Sequence, residues 1–480
     1  MPSDNILSTT VSAHAAVRLL AMAGDLSMGQ PTDQSARSAR LAGQLALLDG
    51  AGAEVAMHAR LVALLRWSGC TANAAGFAVL LGDDVAGRDA MLRNALPAGH
   101  PLTFANVEPL ARIHCEVAGD LAGMLALPAE VEAGLRHVWE HYDGGGAPQQ
   151  LRAPAIPAVV YYTSLAGDLE ILARTYDAPT AMQMIQSWGG AKYPAALAAL
   201  AAEHADALLA TLDGPDEDGA LPAHQVALSI VADLVELKLP WLAGYSRRVA
   251  ELAGRAAALA GLPLEQQKRL ARAALVHGVG RASVANTIWE RTGKPGSADW
   301  EKIRLAPYWT ARAGALVPEL REEAALASHM YERVDGSGYF RSLERDALDL
   351  PQRLLAAAGA YAALCAPRPW RAALQPQEAA QVLEEEGRAG RLDATAAGFV
   401  IAAGGGEGEA GMAPARKGLL SEREVEVLRR ISLGESNKEA ARVMQISPST
   451  VRTHMESIFR KLGCSTRAAA TLKGLTLGLI

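Results

Sequence analysis

The stretch Leu419–Gly463 reads LLSEREVEVLRRISLGESNKEAARVMQISPSTVRTHMESIFRKLG and carries the start and stop signals of three successive helices. Ser421 with Glu424, and Ser436 with Glu439, have the spacing of capping boxes, in which each partner bonds the other's backbone N–H. Two short helices joined by a tight turn and followed by a third helix are typical of a helix-turn-helix.

The boundaries of these helices follow from glycine and proline. Gly434 is predicted to stop the first helix, and the second runs to about Met444. Ser447-Pro448 opens the third helix, because proline at the first helical position sacrifices no hydrogen bond. Gly463 ends it.

The third helix has two different sides. Its apolar stripe recurs at i, i+4, i+7 and i+11, a spacing that predicts packing on the first two helices, and consists of Val451, Met455, Ile458 and Leu462. The other side carries hydroxyls, an imidazole and cations without a carboxylate, and consists of Thr450, Thr453, His454, Ser457 and Lys461, flanked by Arg452 and Arg460. Such a surface suits phosphate oxygens and base edges. The alternative is an ordinary solvated helix face.

From Lys417 to the C-terminus the sequence resembles the DNA-binding domain of the LuxR family of bacterial transcription regulators, because SNKEAA and SPSTVRTH occur at the family's separation. The resemblance implies that Thr450–Lys461 is the recognition helix and that the last helix, about Thr466–Leu477, pairs two domains on a two-fold site. Asn437 and Ser449 are expected to bond phosphates from helix N-termini. The full set expected to contact double-stranded DNA is Asn437, Lys438, Ser449, Thr450, Arg452, Thr453, His454, Ser457, Arg460 and Lys461.

Charge is distributed unevenly along the chain. Residues 417–480 hold eleven Lys or Arg and six Asp or Glu, a net charge of +5, whereas the 480-residue chain carries −6, so residues 1–416 carry −11. This distribution indicates that nucleic-acid binding is confined to the C-terminus. We expect one repeat of the body at 1–212, a second at 221–402, a flexible linker at 403–416 and the DNA-binding domain at 417–480.

Composition and patterning predict an all-α protein. Half of the residues are hydrophobic and only 5% are aromatic, alanine is abundant, and no stretch shows sustained strand alternation. No apolar run approaches the roughly 20 residues of a membrane helix, and no basic leader precedes the first apolar segment. We therefore expect a cytoplasmic protein without a membrane contact, whose free thiols are Cys70, Cys115, Cys365 and Cys464.

The two halves of the body echo one another. HYDGGGAP at 141–148 and ERVDGSGY at 332–339 each place a DGxG turn after a helix, and a Pro-led helix follows each turn, from Pro157 and from Pro351. Such an echo indicates duplication of one domain.

The second half resembles the HD-GYP family of helical, metal-dependent phosphodiesterases that open cyclic di-GMP. The resemblance covers Leu221–Gly390 and rests on four blocks in order, AGYSRRVA, HGVGR, GKPG and HMYERVDGSGY. The family chemistry needs metal ions held by His and Asp side chains, which polarise a phosphoryl group and generate a nucleophile. Here the family's ligand positions fall on Tyr245, Gly278, Ala306, Met330 and Gly359.

Only His277, His329 and Asp335 persist at family positions, and Arg281 takes the place of the family's lysine. Two isolated imidazoles cannot hold a bridged metal pair without carboxylates to neutralise its charge. We therefore expect no catalytic residues, no metal and no resident cofactor. Whether His277 and His329 are core histidines or bind a single metal ion is left open, with the first preferred. Asp335 is expected to act as a turn residue.

The first half has diverged further. Arg66-Trp67 stands where the HD pair would fall, and Gly167 stands where a later aspartate would fall, with Asp168 one residue away. Glu140 and Asp143 are interpreted as turn and helix-end groups.

Three roles remain open for the body: binding a small-molecule or nucleotide effector, binding a protein effector, or forming a homodimer. The first half is expected to suit subunit contacts. An aromatic base-stacking pocket in the second half competes with a core role for Tyr245, Trp289, Trp300, Trp309, Tyr339, Tyr361 and Trp370. The sequence favours a dimeric transcription regulator with an inactive HD-GYP-like body. Alternatives are a metal-dependent phosphohydrolase with a DNA anchor and a non-enzymatic interaction scaffold.

Overall fold

The computed structural model describes residues 9–100, 102–214, 222–405 and 419–480. In these ranges the protein is almost entirely helical, which confirms the predicted all-α class. Two three-residue strands, Thr10–Ser12 (β1) and Gln225–Ala227 (β2), form a two-stranded sheet. Contacts divide the chain into two compact units, Ser12–His224 and Gln225–Ile480 together with the start of the chain through Val11.

The first unit contains eleven α-helices within its described residues. They are α1 Ala13–Ser27, α2 Gln34–Leu48, α3 Ala53–Leu65, α4 Ala74–Leu81, α5 Asp84–Leu92, α6 Phe104–Met124, α7 Ala129–Arg136, α8 Ala158–Thr175, α9 Ala178–Trp188, α10 Ala195–Glu203 and α11 Ala205–Ala210.

The second unit contains thirteen more within its described residues. They are α12 Ser229–Glu236, α13 Tyr245–Leu259, α14 Leu264–Val276, α15 Asn286–Trp289, α16 Ser297–Ala315, α17 Arg321–Ala327, α18 Leu350–Leu364, α19 Pro376–Arg388, α20 Ala394–Gly405, α21 Glu422–Ser432, α22 Asn437–Met444, α23 Pro448–Leu462 and α24 Arg467–Thr476. Short 3-10 helices lie at Ser68–Cys70, Thr211–Asp213, Pro240–Leu242, Val279–Ser283, Pro318–Leu320 and Arg345–Ala347.

Close packing through alanine organises both halves of the body. In the first unit α2 packs against α3 and α8, and in the second α13 packs against α14 and α18. Ala42 of α2 and Ala253 of α13 are fully buried, so the helix backbones approach closely at these contacts. One helix of each unit thus packs on the helix that follows it and on a helix later in the chain.

The predicted linker begins later than expected. Helix α20 continues through Gly405, so residues 403–405 are helical rather than part of the linker, because Ala403 packs its methyl group into the core. Residues 406–416, and the acidic run at 215–221, lie outside the described residues.

Within the described residues no single helix is both long and apolar enough to cross a bilayer. The bent pair Ala195–Glu203 and Ala205–Asp213 meets the criterion of length and composition only when the two are taken together.

Candidate functional site

The helices of the C-terminal domain begin where the capping signals predict. Ser421 Oγ accepts the backbone N–H of Glu424 at 3.3 Å, and Glu424 Oε2 accepts that of Ser421 at 2.7 Å. Ser436 and Glu439 repeat the exchange at 3.3 and 2.8 Å. Helix α23 starts after Ser447, whose hydroxyl caps its first turn.

The two sides of α23 separate as predicted. A left-handed residue, Gly463 at φ 60°, ends the helix. The apolar stripe packs into one cluster with α21 and α22, and its buried members are Val451, Met455, Ile458 and Leu462. The opposite side is thereby turned away from this core.

Most side chains expected to meet DNA are exposed on that outer side. Asn437, His454 and Ser457 are half-buried, whereas the exposed members are Lys438, Ser449, Thr450, Arg452, Thr453, Arg460 and Lys461. The structure thus presents this surface to solvent, and its contact with DNA stays a prediction.

One carboxylate reaches this surface, contrary to the expected carboxylate-free face. Glu424 of α21 accepts a hydrogen bond from Ser457 Oγ at 2.7 Å and pairs with Lys461 Nζ at 2.6 Å. Burial opposes ionisation of Glu424, but Lys461, Ser421 and Ser457 outweigh it and lower the pKa of Glu424 to about 2. Sequence reasoning missed these contacts because Ser457 and Lys461 lie 33 and 37 positions from Glu424 in the chain.

Several other predicted contact residues also have partners inside the domain. Asn437 Oδ1 accepts a hydrogen bond from Arg467 Nη2 at 2.8 Å. Arg452 Nε pairs with Glu456 Oε1 at 3.0 Å, one helical turn away. Both pairs are exposed, so each contributes little to the stability of the domain.

The last helix, α24, packs against the body, so part of its surface is not exposed to solvent. It packs on α12 of the HD-like domain as well as on α21. Leu475 is buried, and its Cδ2 lies 3.7 Å from the position of a Cβ at Gly244. Pro240 similarly approaches Gly434, which follows the first helix of the domain: its Cβ lies 3.2 Å from where a Cβ at Gly434 would stand. The helix that the family resemblance assigns to dimerisation is thus partly covered.

The remnant metal site of the second unit is centred on His277, which follows α14. Its Nδ1 donates to Ala274 O at 2.6 Å, and its Nε2 accepts from Arg281 Nη2 at 3.0 Å. Burial and the Arg281 charge lower the pKa of His277 well below its usual value. Both ring nitrogens therefore have protein partners, as a core histidine requires.

The lost ligand positions are filled by other groups. Tyr245 OH donates a hydrogen bond to Gly359 O at 2.9 Å. Two residues that stand at family ligand positions are therefore bonded to each other. Met330 Sδ lies only 2.2 Å from where a Cβ at Gly359 would stand. An aspartate at this position has no room unless Met330 moves, so these residues do not fit a metal pair.

Arginines and aromatic rings occupy the remaining space. Arg281 lies between the rings of Tyr245 and Tyr331, at 5.3 and 5.9 Å, and its Nε bonds Tyr331 OH at 3.1 Å. Arg368 stacks on Tyr245 at 4.9 Å and on Trp241 at 4.8 Å. This local charge is positive, as it would be with a metal, but a guanidinium does not activate water.

The aromatic residues for which a base-stacking pocket was weighed against a core role differ in exposure. Tyr245 and Tyr361 are buried in the core, whereas Trp300 and Trp370 are 39% and 50% exposed. Tyr339 stacks on Tyr331 at 5.0 Å. It thereby joins one arginine–aromatic cluster, whose other members are Arg281, Arg368, Tyr245, Tyr331 and Trp241.

His329 lies in a separate setting from His277. Its Nδ1 donates to Ala325 O at 2.9 Å, and the ring lines an open cavity of about 610 Å³ together with Arg269, Glu322 and Gln352. Among the described residues, no group of three or more His, Cys, Asp or Glu side chains is arranged to hold a metal ion.

The two DGxG turns have the same hydrogen bonds. Buried Glu332 accepts the backbone N–H of Arg341 and Leu343 at 2.8 and 3.0 Å, nine and eleven positions ahead. Buried Glu140 accepts those of Gln149 and Leu151 at the same two offsets, at 2.7 and 3.0 Å. The internal echo is therefore a repeat of structure.

The aspartates of these turns also correspond. Asp335 Oδ1 accepts the backbone N–H of Ser337 at 3.0 Å, and Asp143 Oδ1 accepts that of Gly145 at 2.7 Å. Each aspartate thus bonds the backbone two positions ahead, the turn role expected for it.

The repeat also identifies a histidine that sequence reasoning missed. A Cβ at Gly69 would lie 2.3 Å from His114 O, and one at Gly280 would lie 1.8 Å from Ala306 O. His114 therefore corresponds to Ala306, a lost ligand position. Burial and the Arg88 charge lower the pKa of His114 to about 3. The sequence around His114 offered no HD pair to anchor an alignment.

Arg66 fills the equivalent centre of the first unit. It follows α3 as His277 follows α14, and its Nη1 lies 1.4 Å from where a Cβ at Gly167 would stand. Asp168, one residue beyond, pairs with Lys192 at 2.6 Å. Arg66 of the first unit thus occupies the position that corresponds to His277 of the second unit.

Two family models match the chain. Residues 229–396 match the HD domain, and residues 418–473 match the bacterial regulatory proteins of the luxR family. The protein therefore has an HD domain followed by a LuxR-type helix-turn-helix domain.

Relatives of each part are known. The chain is 26% identical over 294 residues to 3'3'-cGAMP-specific phosphodiesterase 3 of Vibrio cholerae, covering 58% of this chain and 64% of that protein. The match to 3'3'-cGAMP-specific phosphodiesterase 1 of the same organism is 32% identical over 164 residues and spans 34% of this chain and 38% of the relative. The probable transcriptional regulatory protein NarL of Mycobacterium tuberculosis is 44% identical over 62 residues, 13% of this chain and 29% of its own.

A solved structure is similar in fold to much of the chain. The crystal structure of a V. cholerae cyclic GMP-AMP specific phosphodiesterase, V-cGAP3, covers 82% of this chain and 98% of its own, with a TM-score of 0.59 and 21% identity. At that identity the likeness concerns the fold.

Proposed function

We propose that this protein is a dimeric, cytoplasmic transcription regulator whose C-terminal domain reads a pseudo-palindromic DNA site and whose HD-like body regulates or assembles it without catalysis. The observation that carries the non-catalytic part is the contact between Arg281 Nη2 and His277 Nε2 at 3.0 Å. A cation hydrogen-bonded to the lone pair of a would-be ligand competes directly with a metal ion.

The DNA-binding part rests on the outer side of α23. Hydroxyls and cations line it, and the domain that carries it has a net charge of +5 while the rest of the chain is acidic. Positive charge attracts the phosphate backbone, and a helix of this kind fits the major groove.

Contact between α12 and α24 offers a route for regulation. Glu236 of α12 accepts the backbone N–H of Tyr245 and Ser246, at 3.1 and 2.6 Å, at the start of α13 in the arginine–aromatic cluster. The helix that touches the DNA-binding domain is therefore hydrogen-bonded to the remnant site. A ligand or partner that shifts this cluster would change the fraction of molecules in which the body covers α24.

Selection of genomic fragments bound by the purified protein tests the DNA-reading role. Enrichment of one two-fold related sequence, lost in the Thr453→Ala/His454→Ala double variant, is the expected result. Fragments recovered without sequence preference would favour the rival class, a non-enzymatic interaction scaffold.

A metal-dependent phosphohydrolase with a DNA anchor is the second candidate, favoured by the two V. cholerae relatives named as 3'3'-cGAMP-specific phosphodiesterases. Incubation of the protein with Mn²⁺ or Fe²⁺ and a cyclic dinucleotide, followed by chromatography, separates the candidates. We expect no turnover above that of the His277→Ala variant. Turnover that His277→Ala abolishes would establish the enzyme.

A further inference from the structure

The first unit contains a cavity of about 520 Å³ at its eroded HD-like centre, within the size range of small-molecule sites. Arg66 and Trp67 line it, together with apolar side chains that include Leu92, Val107 and Ile171. Polar groups converge on it from His141, Ser164, Asp168 and Lys192.

Arg66 is the unusual member of this lining. It is only 4% exposed, and its Nε and Nη2 have no hydrogen-bond partner among the described residues, while Nη1 donates to Thr163 O at 3.4 Å. A buried, charged donor left without an acceptor is costly, so such groups are normally satisfied.

Other arginines of this protein use the same two atoms, Nε and Nη2, to bind carboxylates. Arg391 uses Nε and Nη2 to hold the two carboxylate oxygens of Glu386 at 2.7 and 2.6 Å. Arg174 uses the same two atoms on Glu170, at 3.1 and 3.4 Å. This fork geometry matches both carboxylate and phosphate.

The carboxylates around Arg66 are committed to other groups. Asp168 pairs with Lys192, and Glu170 pairs with Arg37 at 3.0 Å as well as with Arg174. Asp25 accepts the backbone and hydroxyl hydrogens of Ser35. Burial raises the pKa of Asp25 to about 8, although these hydrogen bonds lower it. The negative charges of Asp168 and Glu170 act on Arg66 through space, but no carboxylate among the described residues bonds its Nε or Nη2.

Aromatic surface surrounds the guanidinium. Arg66 stacks on Trp67 with 4.2 Å between Cζ and the ring centre, and Trp139 and Trp188 also line the cavity. Lys192 Nζ lies 5.2 Å from the ring centre of Trp188, which places a second cation at the wall.

We propose that this cavity binds a small aromatic oxyanion, with its phosphate or carboxylate group paired with Arg66 and its planar ring against the tryptophans. Arginine thus takes over, in the first unit, the anion-holding task that metal ions perform in an intact HD site. The site was not expected from the sequence, which assigned this half to subunit contacts.

Calorimetric titration of the full-length protein tests the proposal, with guanosine and adenosine 5'-monophosphates and a cyclic dinucleotide as phosphate probes and indole-3-acetate as the carboxylate probe. Guanosine, which has the ring without the anion, and inorganic phosphate, which has the anion without the ring, measure the contribution of each part to binding. We expect one probe with both parts to bind, and Arg66→Met to weaken it by about tenfold or more. The phosphate and carboxylate arms distinguish the two sources of the anion.

Arg281→Met is the matched control, because Arg281 lies at the remnant site of the second unit and has protein partners. Binding lost in Arg281→Met and retained in Arg66→Met would overturn the assignment, as would the absence of binding by every probe. Arg66→Lys keeps the charge but loses the fork, and should recover part of the affinity. Thermal unfolding of each variant establishes that it folds. DNA affinity is a separate measurement, so failure here leaves the proposed function standing.

Discussion

Glu424 and Lys461 join the first and third helices of the LuxR-type domain through an ion pair of 2.6 Å, and the second carboxylate oxygen of Glu424 holds Ser457. The same residue completes the capping box at Ser421. One buried carboxylate thus fixes both the start of α21 and the angle at which α23 is presented.

Glu424→Ala should destabilise the C-terminal domain by about 1–3 kcal/mol, because it removes a cap and leaves charged and polar partners without an acceptor. Urea unfolding followed by circular dichroism measures the change. Glu456→Ala is the control, since its pair with Arg452 is exposed and should change stability by less than about 0.5 kcal/mol. Equal losses would contradict the special role of Glu424.

The same group gives the domain a defined acid sensitivity. The pKa of Glu424 is lowered from 4.5 to about 2 in the folded chain, so its stabilisation is complete above pH 4.5 and is lost as pH falls toward 2. Glu424→Gln should therefore lose less stability than the wild type between pH 4.5 and 2, as followed by circular dichroism in an acid titration. Parallel curves for both proteins would refute this.

Substitutions on the outer side of α23 should separate charge from base reading. Lys461→Ala should weaken binding to all sequences and reduce the salt slope by about 1. His454→Ala and Arg452→Ala should also change site preference, as measured by binding to a panel of single-base variants. If all three variants lose the same affinity on every sequence, α23 does not read bases.

Two helical glycines should respond in opposite directions to alanine. Gly359→Ala places a methyl group 2.2 Å from Met330 Sδ in the core, and should destabilise the protein by about 1–3 kcal/mol. Gly398 of α20 is exposed with open space around it, so Gly398→Ala should stabilise by about 0.5–1 kcal/mol. Thermal unfolding compares the two, and a stabilising Gly359→Ala would show that Met330 does not fill the lost ligand position.

Weakening the contact between α24 and the body should raise DNA affinity. Leu475 is buried beside Gly244, so Leu475→Ser should loosen that contact and free α24 to pair with a second copy. Leu477→Ser, at a site 36% exposed, is the control and should change affinity little. Gel-shift titration with the selected site measures both, and a weaker Leu475→Ser complex would show that the contact assists binding.

Local signals in the sequence were sufficient for the helix-turn-helix. Ser421, Ser436 and Ser447 are capping residues in the structure, and Val451 with its i+4 and i+7 neighbours points inward. These features depend on residues within one or two turns of each other, so periodicity and capping rules identify them.

Contacts between distant residues were not accessible in this way. The approach of Arg66 to Gly167 joins positions a hundred residues apart, and the sequence showed only that two ligand positions had changed. Likewise, the hydrogen bond between Arg281 and His277 depends on how a 3-10 turn orients a long side chain. Family resemblance located these residues, but only packing reveals which groups fill the space that ligands left.

The matching bonds of Glu140 and Glu332 bear on how this scaffold tolerates change. Each carboxylate accepts two amide hydrogens of its loop, and the turn aspartate accepts a third, so protein groups alone hold the shape of the loop. A scaffold whose turns are held by such hydrogen bonds can lose metal ligands one at a time and still fold. Chelating agents should accordingly leave its melting behaviour untouched.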